Sequence, residues 1–199
     1  LTAAPSLVDA LRLPLQQTRD DNIAACFALT YERLDPTLQE TFHALGVCAA
    51  SGADATALAH LCQIAESAAN ERLLALSLLS LAEYEARRAQ CHPLLHSYAL
   101  SCLGGKPPDL QTTLNLRHAQ HYGEQIGGSY QAHINDARGE EAYSALAQIT
   151  SELANVELAQ ERALQIHFPD PALAVRITND LRTVWRLRDH PQLLTWLQR

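Results

Sequence analysis

The residues best suited to chemistry lie close together, in "CHPLLHSYALSC" at residues 91–102. Cys91, His92, His96 and Cys102 are all metal-ligand types, and His92 stands directly before a proline. A structural zinc site needs its thiolates and imidazoles to converge on one tetrahedral point, usually from close pairs. Here Cys91 is expected to end a strand, His92 to precede a helix, and His96 and Cys102 to lie inside it. Those side chains diverge. The start of a helix also carries partial positive charge and disfavours a cation. An anion suits that place better, because the first backbone N–H groups are free and the dipole attracts negative charge. On spacing alone, a plain helix cap or an imidazole bonded to a carbonyl accounts for His92 more simply than a ligand does.

The flanking pattern shows what would hold this segment. "LAEYEARRAQC" at residues 81–91 alternates weakly around a charged middle, which predicts a short β-hairpin turning at residues 85–87. Pro93 fits the first position of a helix continued by Leu94, Leu95, Tyr98 and Leu103. "GGKPP" at residues 104–108 stops it.

Upstream, Asn22 is a candidate cap for a helix bearing Ile23, Phe27 and Leu34, and Asp35 then Pro36 restarts a helix with Leu38, Phe42 and Leu45 on its apolar face. A third helix is expected from Asp54. A fourth, "SAANERLLALSLLS", has Ser67 as its cap, and its many leucines predict deep burial. Helices, a hairpin and one more helix over residues 22–104 make a winged-helix arrangement. Residues 1–21 read as the tail of an upstream helical element.

Residues 105–199 read as helical. "LQTTLNLRHAQHYGEQI" is one helix and "GGSYQAHINDARG" a loop. Residues 140–167 form one helix or two with a turn at 152–155. Asp170 and Pro171 open a further helix, broken at "RDHP" before a last one. Successive helices of this length suit an α-solenoid of tetratricopeptide type. The expected fold is therefore mainly α: a winged-helix domain with a small β-hairpin, then a helical repeat segment.

Composition narrows the function. The chain has 199 residues, 47% of them hydrophobic, with a formal net charge of −7. An acidic balance argues against general binding to a phosphate backbone, and no run is apolar enough to suggest a membrane span or a signal segment. Five scattered cysteines read as reduced thiols in a cytoplasmic protein. The chain contains no Met and begins at Leu1, which suggests a piece of a longer protein.

Two blocks together carry a resemblance. "TYERLDP" at residues 30–36 with the following "LGVC", and "HPLLHSYA" at residues 92–99 after the leucine-rich helix and hairpin, resemble the winged-helix region of NB-ARC proteins, in the STAND class of signalling ATPases. The resemblance covers residues 20–104. It extends more weakly to "SELANVELAQERAL", which looks like the opening of a tetratricopeptide array. It implies that "CHP" stands where the family has "MHD", so that His92 contacts the β-phosphate of ADP in the intact protein and holds a closed state. Cys91 replaces the Met and Pro93 the Asp, so the aspartate's contact is missing. It also implies an upstream ATPase core binding ADP or ATP with Mg, a protein or peptide partner on the repeats, and homo-oligomerisation on activation.

The family's phosphate loop and magnesium-binding acidic strand occur nowhere in the chain, so this segment is not expected to be an enzyme or to hold nucleotide alone. "GGKPP" lacks the spacing and hydroxyl of such a loop. Other candidates read as structural. His43, His60, His118 and His121 are single histidines on helices, and Trp185 and Trp196 are packing anchors or the lining of a concave peptide face. Arg87 and Arg88 read as a solvated turn. The fourth helix offers one arginine among leucines, with nothing suited to reading bases.

Overall fold

The computed structural model describes residues 27–136, 140–165 and 167–188. Helix α1, described over residues 27–31, leads into α2, Pro36–Val47. Its start is written locally. Asp35 Oδ1 accepts from the backbone N–H of Thr37 at 2.8 Å and of Leu38 at 3.0 Å, and Pro36 takes the first helical position. The Thr37 hydroxyl bond, then the Leu38 amide, hold the Asp35 carboxyl below its usual range.

Strand β1, Ala53–Asp54, runs into α3, Ala55–Cys62, with Asp54 capping through the Ala57 N–H at 2.7 Å. Helix α4 is Glu66–Leu78. It starts two residues earlier than Ser67 suggests: Ala65 is the cap residue, with no side-chain bond, and Glu66 supplies the favourable negative charge in the first turn. The expected deep burial of α4 is also corrected. Leu73 and Leu76 are buried, but Leu74, Leu78 and Leu79 are exposed, Leu78 at 87%. The helix has one covered stripe, and its excess leucines face outward.

The hairpin forms as the alternation predicts. β2, Glu83–Glu85, pairs antiparallel with β3, Arg88–Gln90, in the register Tyr84 opposite Ala89. The two linking residues, Ala86 and Arg87, have φ of 48° and 67°. Positive φ at both is the type I′ geometry whose twist suits a two-residue hairpin. β3 is the central strand of a three-stranded sheet, with β1 on its other side, which the sequence reading had not included. Helix α5, Pro93–Gly104, follows.

The remaining helices are longer than the sequence suggests. α6 is Pro108–Asp136 and passes through Gly127 and Gly128, where a loop was expected. α7 is Glu140–Ala163, one helix without a turn at 152–155. α8 is Pro171–Arg188, opened by Asp170 and Pro171 as predicted. Packing overrides the glycine signal. A Cβ on Gly123 would lie 2.9 Å from Leu173 Cδ1 and one on Gly127 3.2 Å from Asp180 Oδ2, so these two glycines admit α8 at close range, while Gly128 faces open space. The expected elements in residues 1–21, the Asn22 cap, the break at "RDHP", and Trp196 lie outside the described residues. One buried apolar cluster joins Phe42, Leu58 and Leu73 to Tyr122, Val156 and Ile177 without interruption at residue 104. No helix among the described residues is long and apolar enough to cross a membrane.

Two substitutions test these backbone requirements. Gly52 has φ of +77°, and a Cβ there would lie 1.9 Å from Ala89 O. Gly52→Ala should cost more than about 2 kcal/mol in urea unfolding, since left-handed strain alone costs about 1–2 kcal/mol. Ala86→Asn should do the opposite, because Asn tolerates the left-handed region. A gain of about 0.5 kcal/mol, read as a rise in melting temperature, is expected.

Candidate functional site

The four side chains of the quoted segment find four separate partners. Cys91 is buried and its thiol donates to Leu81 O at 3.4 Å; burial pushes its pKa up to about 12. His96 Nε2–H donates to Cys48 O at 2.8 Å, pinning α5 to the end of α2. Cys102 lies against Tyr98. His92 is the N-cap of α5, and its Nδ1 accepts the Leu94 N–H at 3.3 Å. Among the described residues, no group of three or more His, Cys, Asp or Glu side chains is placed to hold a metal ion.

His92 is exposed, at the edge of a cleft of about 380 Å³ lined also by Ser77, Ser80, Glu83, Tyr84 and Glu85. With Nδ1 accepting, the ring proton of neutral His92 sits on Nε2. Among the described residues that N–H meets no acceptor, and it lies beside a helix N-terminus, which is the chemistry of an anion contact. The nearby charges do not complete an anion site. Glu83 and Glu85 are acidic, Arg87 pairs with Glu66, and Arg88 is committed elsewhere.

Arg88 is the residue that sequence reasoning misjudged. It is not part of a solvated turn. Its Nε–H donates to Ser51 O at 2.8 Å, one terminal nitrogen donates to Gly52 O at 2.9 Å, and its fork pairs with the carboxylate of Glu152 on α7. Glu152 is 7% exposed. One turn on, Asn155 is fully buried. Its Nδ2 donates to Gly52 O at 2.9 Å and Glu152 Oε2 at 3.1 Å, while its Oδ1 accepts the Ala49 N–H at 2.7 Å. Further along α7, Arg162 donates to Val47 O at 2.6 Å. The turn after α2, residues 47–52, is thus held by side chains of α7 and β3. The signal was present in the sequence. Glu152, Asn155, Val156, Ala159 and Ala163 share one stripe of a helix, so two polar residues stand in an apolar seam.

The histidines of α6 lie behind this node. His118 is fully buried and its Nε2–H points at Asn155 Oδ1 at 3.4 Å. Its ring centroid lies 4.8 Å from that of Tyr122, and the rings of His60 and His121 meet at 5.3 Å, tilted by 44°. Burial, then the Arg162 charge, hold the His118 pKa well below its usual value, and burial likewise lowers that of His121. Burial also brings His43, bonded to the Tyr31 hydroxyl at 2.8 Å, down to about 4. Of the tryptophans, Trp185 falls within α8.

Three comparisons bear on identity. No known family model matches the chain, and neither a curated protein nor a solved structure matches it.

The buried imidazoles give a pH dependence of defined sign. In the folded chain His118 stays neutral far below pH 6.5, while in the unfolded chain it takes up a proton near that value. Stability is therefore full above about pH 6.5 and falls as pH drops below it, by at most about 1.4 kcal/mol per pH unit for this histidine. His118→Gln keeps an amide donor for Asn155 but does not titrate. Urea unfolding between pH 8 and pH 5 should show a shallower acid limb for this variant. An identical limb would mean that His118 does not carry the effect.

Proposed function

We propose that this chain is the regulatory region of a STAND-class signalling switch, in which a winged helix senses ADP and helical repeats receive a signal or partner. The observation that carries the proposal is the state of His92. Its Nδ1 is occupied by the cap of α5, and its Nε2–H is left exposed at the helix start. That arrangement presents one oriented donor to a phosphate oxygen. The element order α2–β1–α3–α4–β2–β3, with sheet order β1–β3–β2, supports the winged-helix reading. The packing of α6, α7 and α8 on one another supports the repeat reading.

In this proposal the chain contributes regulation, not hydrolysis. Two carboxylates line the His92 cleft, so the compensating positive charge comes from a phosphate loop and Mg in an ATPase core of the same protein. With ADP bound, His92 bridges that core to the winged helix and the array is closed. Exchange for ATP, or a partner on the repeats, breaks the bridge, and the protein opens and oligomerises. A charge-assisted hydrogen bond of roughly 1.5–3 kcal/mol shifts such an equilibrium by about one to two decades.

A second reading, a protein-interaction scaffold without nucleotide sensing, is favoured by one observation. Leu74 and Leu78, at 52% and 87% exposure, form an apolar i, i+4 ridge on α4 beside exposed Leu29 and Leu79. The same ridge disfavours DNA binding, since α4 meets solvent with leucines.

Nucleotide co-purifying with the parent protein, ATPase core included, decides between these readings. The wild type should retain ADP, and His92→Ala should release it about ten- to a hundred-fold faster in stopped-flow exchange with a fluorescent analogue. Equal release would reduce His92 to a helix cap. Absence of nucleotide from both would favour the scaffold.

A further inference from the structure

We propose that Arg88, Glu152 and Asn155 form a joint that ties the position of α7 to the position of His92, so that a displacement of the helical array is felt at the sensor. The inference rests on the sensor reading above and names its regulation.

The geometry leaves little slack between the two. Arg88 grips Glu152 of α7, and Arg88 opens β3. β3 is the central strand, held on both edges by β1 and β2. Only Cys91 separates the last residue of β3, Gln90, from the cap His92, and Cys91 is itself buried and bonded to Leu81 O. A paired strand does not stretch, so a shift of Arg88 moves His92 instead of being absorbed in a loop.

A second attachment runs in parallel. One turn into α5, His96 bonds Cys48 O. The residues on either side of Cys48 are bonded to α7: Val47 O accepts from Arg162, and the Ala49 N–H donates to Asn155 Oδ1. The start of α5 is thus bracketed by two anchors, and both lead to the same face of the same helix. Moving α7 moves them together. Losing the joint frees the sensor from the array.

Arg88 and Glu152 are positioning residues here. Their forked pair, with Glu152 buried and Arg88 half-buried, is specific in direction and poorly replaced by a lysine or a neutral amide. Spatial continuity alone does not establish coupling, so the test reads coupling directly.

The first arm needs no nucleotide. Amide hydrogen exchange is followed on the chain for wild type, Glu152→Gln and Arg88→Lys. Exchange at Leu94, whose N–H bonds His92, and along β3 should quicken roughly ten-fold, with the amides of α3 and α8 unchanged. Exchange that rises uniformly, or that leaves Leu94 unchanged, would overturn the proposal. Arg88→Lys keeps the charge and serves as the milder variant where Glu152→Gln folds poorly. The second arm measures ADP release from the parent protein for Glu152→Gln, His92→Ala and the double variant. Coupling predicts that each single variant speeds release and that the double adds little to His92→Ala. If His92→Ala speeds release and Glu152→Gln does not, the joint is refuted and the sensor stands. If neither does, while Leu94 exchange responds as predicted, the sensor reading fails and the mechanical joint remains.

Discussion

The backbone of residues 47–52 sets the terms for the whole molecule. This stretch leaves α2 and enters β1 with Val47, Cys48 and Gly52 buried, Ala49 and Ser51 half-buried and only Ala50 exposed, so most of its N–H and C=O groups are shielded from water. Buried backbone groups must be paired, or each costs about 1–3 kcal/mol. The pairing comes from afar: Arg162, Asn155 and His96 take Val47, Ala49 and Cys48, and Arg88 takes Ser51 and Gly52. Meeting that one demand fixes where α7 lies on the first half of the chain. It also explains why the apolar cluster is continuous from α2 to α8.

The same demand explains the buried charge. Arg88 and Glu152 contribute modestly to stability, because desolvation offsets most of their attraction. Their value is in specificity. A guanidinium with two backbone carbonyls and a carboxylate to satisfy accepts one register of α7 and no other. His118, fully buried with its Nε2–H toward Asn155, adds a neutral donor that the site tolerates only while uncharged. The junction is therefore ordered at neutral pH and vulnerable to acid.

Placed beside the sensor reading, this junction supplies what a switch needs. His92 alone is one donor at a helix end, facing a cleft with two carboxylates. It has regulatory meaning only if its position depends on something else. The strand that carries it and the helix that it caps are both tied to α7, so on the proposed reading α7 is the source of that dependence.

Local features were legible in the sequence. The Asp35 and Asp170 caps with their prolines, the hairpin turn, the α5 start at Pro93 and the mainly helical class all follow from near-neighbour chemistry, which residue type alone determines. Long-range partners decided the rest. Gly127 and Gly128 read as a loop, yet helix α6 runs through them, because packing against α7 and α8 outweighs a local propensity of about 1 kcal/mol. Residues 152–155 read as a possible turn because Glu and Asn interrupt an apolar stripe. They interrupt it because a turn a hundred residues earlier needs a donor and acceptors there. Arg88 read as solvated for the same reason: its partners Ser51, Gly52 and Glu152 are distant in sequence. The sequence determines which residues are polar; only the tertiary structure decides which of them are buried, and against what.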